Sequence, residues 1–99
     1  MITELNTKNF EKEISNGLKL VEFFTTWCGY CKKQKPELEK MDKIWIGLVD
    51  ADEFADIAKT YKITGFPTFL VFKDGKEVER FSGFRTKEEI MERLIKHLK

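Results

Sequence analysis

Cysteine, proline and histidine are all scarce in this chain: of 99 residues, two are Cys, two are Pro and one is His. Two cysteines and a distant His97 do not make the four-ligand set of a structural zinc site, so no metal is expected. His97, near the end of the last helix, is read as a surface residue. The acidic run of Asp50, Asp52, Glu53 and Asp56 reads as a polar loop and helix start, and no cofactor is expected. Charge of one sign is missing too. Eighteen basic and seventeen acidic side chains leave a formal net charge of +1, so there is no electrostatic footprint for nucleic acid or an anionic membrane. Long hydrophobic runs are absent: Phe66 to Phe72 is among the longest and is far too short to span a bilayer. Met1-Ile2-Thr3-Glu4 lacks the basic-then-apolar opening of a secretory signal. The chain is therefore expected in the cytoplasm, where thiols are kept reduced and a Cys pair serves catalysis or metal binding rather than as a staple. Without repeats, linkers or low-complexity segments, residues 1–99 are read as one domain, expected to be a monomer.

What is present is an alternation of strand and helix patterns. Ile2-Thr3-Glu4-Leu5 is a short edge strand. Asn6 or Thr7 caps a helix running to about Ser15, with Phe10 and Ile14 at helical spacing, and Asn16-Gly17 ends it. Leu18 to Phe24 is a strand apolar on both faces, hence central. Cys28 to about Met41 makes the second helix, with Lys32, Lys33 and Lys35 on a solvated outer face and a kink expected at Pro36. Lys43 to Val49 is another buried strand, in which Trp45 packs at the core or strand end, and Phe54 to Tyr61 is a short third helix. After the break at Gly65-Phe66-Pro67, Thr68 to Lys73 is a strand, and Asp74-Gly75 is a two-residue hairpin signal leading into Glu77 to Phe81. Thr86 and Glu89 have capping-box spacing, and Ile90, Leu94, Ile95 and Leu98 line one face of a closing helix. The fold class is α/β: a central mixed sheet of four to five strands flanked by about four helices.

Both cysteines lie in the stretch Val21-Glu22-Phe23-Phe24-Thr25-Thr26-Trp27-Cys28-Gly29-Tyr30-Cys31-Lys32, where a buried strand passes through a short turn into a helix. Two residues between thiols on a helix place the sulfurs about one turn apart on one face, close enough to close a small disulfide ring with little backbone change. A pair that opens and closes easily is a redox centre. Cys28 starts the helix, where unpaired backbone N–H groups and the positive end of the dipole favour an anion, so it is the expected nucleophile. Cys31, one turn deeper, is the expected resolving thiol. Glu22 interrupts an apolar strand. Burial there raises a carboxyl pKa toward that of a useful proton acceptor for Cys31, whereas a position nearer the sheet end would pair it with a lysine. Trp27, Tyr30, Phe66 and Phe84 are candidates for an apolar rim around the sulfur.

These residues carry a resemblance to the thioredoxin family that covers essentially the whole chain. The Val21 to Lys32 stretch resembles the family's active-site strand, loop and helix, and Pro36 stands where its helix-kinking proline stands. Gly65-Phe66-Pro67-Thr68 resembles the loop with its cis-proline, and Phe72-Lys73-Asp74-Gly75-Lys76 with Gly83 resembles its terminal hairpin. Three positions depart from the pattern: Tyr30 replaces a proline, Glu22 replaces an aspartate, and Leu48 stands where many members have a lysine. The resemblance implies a thiol–disulfide oxidoreductase that acts on disulfide-containing proteins through Cys28 and Cys31 and is recycled by a thioredoxin reductase or another thiol donor. It also implies a cis bond at Pro67 and substrate contacts from Trp27, Gly29, Tyr30, Phe66, Pro67 and Gly83. Two alternatives stand beside it: a glutaredoxin-like, glutathione-dependent oxidoreductase, suggested by Tyr30, and a non-enzymatic binding module or iron–sulfur carrier.

Overall fold

In a computed structural model that describes residues 1–98, five strands and four helices alternate along the chain. They are β1 (Ile2–Glu4), α1 (Phe10–Ile14), β2 (Leu18–Phe24), α2 (Gly29–Glu39), β3 (Ile46–Asp50), α3 (Ala55–Thr60), β4 (Thr68–Lys73), β5 (Lys76–Ser82) and α4 (Lys87–Ile95). The sheet order is β1-β3-β2-β4-β5, parallel from β1 to β2 and antiparallel from β2 through β4 to β5. The expected mixed sheet is therefore present, with β2 at its centre.

Strand alternation splits the core into two layers. Val21 and Phe23 of β2 pack with Phe10, Ile14, Ile57 and Phe72 on the α1 and α3 side. Leu20 packs with Leu38, Phe69, Phe81, Ile90 and Leu94 on the α2 and α4 side. Glu22 shares the Leu20 face by the same alternation, so its carboxyl points toward α2.

Local signals explain most boundaries. Asp74 and Gly75 both have positive φ, 50° and 86°, as a tight two-residue hairpin with right-handed strand twist requires. Asp74 also anchors that hairpin, its Oδ1 accepting the Gly17 N–H at 2.8 Å. The capping box at Thr86 and Glu89 is complete, satisfying two otherwise orphaned donors. Several expectations need correction. Asn6 does cap a turn, accepting from the N–H groups of Lys8 and Asn9 at 2.8 and 2.9 Å, but the α-helix begins only at Phe10 because those turn residues come first. Helix α2 stops at Glu39, and β3 starts at Ile46 because residues 41–45 are spent on the return turn closed by the Ile44 N–H on the Met41 carbonyl. On α4 only Ile90 and Leu94 are buried, whereas Ile95 and Leu98 are 58% and 57% exposed. Ile95 lies about 100° round the helix from Leu94, and Leu98 follows the helix end. His97 is half-buried and faces the Glu79 carboxylate at 3.1 Å.

Candidate active site

Cys28 is the N-cap of α2, with an extended ψ of 115°, and its Sγ accepts the Cys31 backbone N–H at 3.2 Å. A sulfur in that place substitutes for the usual side-chain oxygen of a cap and satisfies one of the free donors of the first turn. Cys31, Gln34 and Leu38 form the buried stripe of α2, which fixes the helix on the sheet by its 3.6-residue period. Both cysteines are free thiols. Burial does not tell them apart, since Cys28 is 7% and Cys31 8% exposed. Electrostatics does so for Cys31: burial, reinforced by the Cys28 hydrogen bond and opposed by one to the Thr25 backbone, pushes its thiol up to about 12. A thiol of that kind stays protonated at neutral pH.

Glu22 is 4% exposed, between Leu48 of β3 and Phe69 of β4 in the sheet register. Desolvation pushes its carboxyl up to about 8, because an apolar site penalises the charged form. Among the described residues its buried Oε2 has no hydrogen-bond partner, nor has the buried Thr25 hydroxyl. Glu22 and Cys31 line a common cavity of about 450 Å³. Among the described residues no group of three or more His, Cys, Asp or Glu is placed to hold a metal ion.

The other candidates flank the two cysteines in the chain or lie on the loops just before β4 and just after β5. Trp27 and Tyr30 are 68% and 63% exposed, Phe84 37%. Trp27 meets Phe66 edge-on with centroids 6.1 Å apart. Phe66–Pro67 is cis, and the Pro67 carbonyl accepts the Gly83 N–H at 2.9 Å. Gly83 has φ 86°, a conformation open to glycine. Gly29 sits in the first turn of α2, with open space where a Cβ would be.

Two further residues hold candidate positions: Gln34, which carries no expectation from the sequence, and Asp52, expected only as part of a polar loop. Asp52 accepts the Trp27 indole N–H at 2.9 Å and so holds the exposed ring. Gln34 is fully buried and bonds the Arg85 backbone beside Phe84. Gln34 had a signal, being a polar residue on the Cys31 and Leu38 stripe. The partner of Asp52 had none, because 25 residues separate it from Trp27.

The thioredoxin family model matches residues 1–96. Thioredoxin of Staphylococcus haemolyticus is 40% identical over 98% of each chain, and that of Chlamydia pneumoniae is 38% identical over 98% of this chain and 99% of its own. The X-ray structure of Fasciola hepatica thioredoxin superposes with a TM-score of 0.86 at 35% identity, covering 98% of this chain and 99% of that one. These likenesses extend well beyond the Cys-x-x-Cys pair to nearly the full length, and they do not favour the glutaredoxin-like or carrier alternatives. The chain belongs to the thioredoxin family.

Proposed function

We propose that Cys28 and Cys31 carry the family's dithiol–disulfide exchange, with Cys28 as nucleophile, Cys31 as resolving thiol and Glu22 as proton acceptor. The observation that carries this reading is the contrast around α2: Cys28 caps the helix, while Cys31 is held protonated against a buried carboxyl. The Cys28 thiolate attacks a target disulfide, forming a mixed disulfide and releasing one target thiolate. Cys31 then passes its proton to the Glu22 carboxylate and attacks Cys28 Sγ. The Cys28–Cys31 bond forms, the mixed disulfide breaks, and the second target sulfur leaves. Two electrons have moved from the dithiol to the target.

Trp27, Tyr30 and Phe84 supply an apolar rim suited to an extended protein segment. Phe66 adds a backbone N–H and carbonyl with no partner among the described residues, available for strand-like pairing. Pro67, Gly83 and Gly29 shape the backbone on either side of the sulfurs. The protein works as one monomeric domain in a reducing, cytoplasmic setting, on disulfide-containing proteins, with a thioredoxin reductase or comparable thiol donor restoring the dithiol. No nucleic-acid, membrane, metal or cofactor role enters this reading.

The test is asymmetry between the two serine variants. Cys28→Ser is expected to abolish insulin disulfide reduction and to trap nothing. Cys31→Ser is expected to accumulate mixed disulfides that mass spectrometry detects. Trapping by Cys28→Ser instead would reverse the roles, and trapping by neither would end the dithiol mechanism.

A further inference from the structure

The cavity of about 450 Å³ beside Cys31 has an apolar lining of Ile2, Leu5, Phe24, Leu38, Leu48 and Phe54, into which six charged side chains are set. Glu4 faces it from β1, Glu22 from β2, Lys35 and Glu39 from α2, Asp50 from β3 and Glu53 from the turn after β3. All but Lys35 are carboxyls. Lys35 follows Cys31 by four residues on α2, so the two side chains share a face one turn apart. Glu22 lines the same cavity, and its buried Oε2 has no hydrogen-bond partner among the described residues. A buried acceptor without a donor is costly, and a buried carboxylate without a cation costs far more. Leu48, the β3 neighbour of Glu22, brings no charge. Lys35 is exposed and forms no ion pair among the described residues. Its flexible four-carbon stem leaves the ammonium free to turn inward.

We infer that Lys35 is a positioning residue for Glu22: its ammonium turns into the cavity when the carboxyl loses its proton, and holds the carboxylate by a charge-assisted hydrogen bond. The inference rests on the dithiol reading above, to which it adds the source of the missing cation. The outer-face lysines thereby divide. Lys32 and Lys33 stay in solvent, and only Lys35 adjoins the cavity. The arrangement also answers a difficulty of degree. Burial alone sets the carboxyl at about 8, so that about a tenth of it would be ionised at pH 7. An approaching ammonium enlarges that fraction where the acceptor is needed, because an opposite charge nearby favours the ionised form.

The experiment is a ¹³C NMR titration of the Glu22 carboxyl in the reduced protein and in Lys35→Met, Lys35→Arg and Lys33→Met. Lys35→Met is expected to raise the Glu22 midpoint by about one unit, as loss of a near opposite charge does. Lys35→Arg should hold it close to the parent. Lys33→Met removes the same charge from the same helix away from the cavity and should move it little. Equal midpoints in Lys35→Met and Lys33→Met would overturn the inference. Stopped-flow rates of mixed-disulfide resolution in the same variants keep the two readings apart. A midpoint that moves while the rate profile stays fixed upholds Lys35 as the partner of Glu22 and removes Glu22 as proton acceptor.

Discussion

Gln34 binds both backbone groups of Arg85: its Nε2 donates to the Arg85 carbonyl at 2.8 Å, and its Oε1 accepts the Arg85 N–H at 2.9 Å. The pair joins α2, one turn past Cys31, to the loop that carries Gly83 and Phe84. A fully buried amide used in this way imitates a strand partner where the chain has no strand to offer.

Gln34→Leu keeps the volume and removes both bonds. Loss of about 1–3 kcal/mol is expected, the usual cost of leaving buried polar groups unmatched. Urea denaturation measures the loss, and hydrogen exchange at the Arg85 amide should quicken with it. An unchanged Arg85 exchange rate would show that the loop is held by other contacts.

Glu22 ties stability to pH in a definite direction. Its folded-state pKa of about 8 lies above the ordinary 4.5, so between those values the folded protein keeps a proton that the unfolded chain has released. Stability must therefore fall as pH rises from about 4.5 to about 8, by on the order of a few kcal/mol. Glu22→Gln removes that slope. Denaturation midpoints of the two proteins should draw apart in favour of the variant up to pH 9 and converge near pH 4. Parallel curves would mean that the carboxylate is compensated inside the fold.

Glu79 has the opposite sign. Its carboxylate takes bonds from His97 at 3.1 Å, Arg93 at 2.8 Å and Lys96 at 3.3 Å, and these hold its pKa at about 2. A depressed carboxyl stabilises above about 4.5, and the contribution disappears as pH falls toward 2. Arg93 and Lys96 are partly solvated, so screening limits the gain to about 1–2 kcal/mol. Glu79→Gln should cost that much at pH 7 and almost nothing near pH 2, as read by thermal denaturation. A pH-independent loss would assign Glu79 a packing role instead.

Gly83→Ala tests the loop under the rim. A Cβ there would meet no atom within 4 Å, so its cost comes from φ alone, which is 86°. About 1–2 kcal/mol is expected from a side chain forced into left-handed backbone. Calorimetry would detect it, and a neutral result would show that the loop relaxes to another conformation.

Much of this was legible in the residues because it is local. The sequence showed Leu18 to Phe24 as a central strand with Glu22 buried in it, and an α2 that starts at the thiols with lysines on its outer face; the Cys31, Gln34 and Leu38 stripe fits the same 3.6 period once the helix is seen. Asp74-Gly75 wrote its own turn. At the start of α1 and ahead of β3, turn residues with local hydrogen bonds occupy positions that apolar spacing alone assigns to regular structure. At the end of α4 the apolar spacing misled differently, since Ile95 and Leu98 are exposed.

By itself, then, the sequence determined the order of strands and helices, the hairpin, the caps and the placing of two thiols at the mouth of α2, all of which depend on neighbours within a few residues. Only the tertiary structure decided which distant groups meet. It put the Trp27 indole against Asp52, the Gln34 amide against Arg85 and the Glu79 carboxylate among Arg93, Lys96 and His97. It also left Glu22 Oε2 with no hydrogen-bond partner among the described residues, in a cavity that Lys35 helps to line. Sequence periodicity gives the face a side chain occupies, but a hydrogen bond or ion pair is decided within a few tenths of an ångström, by how layers far apart in the chain come to rest on one another.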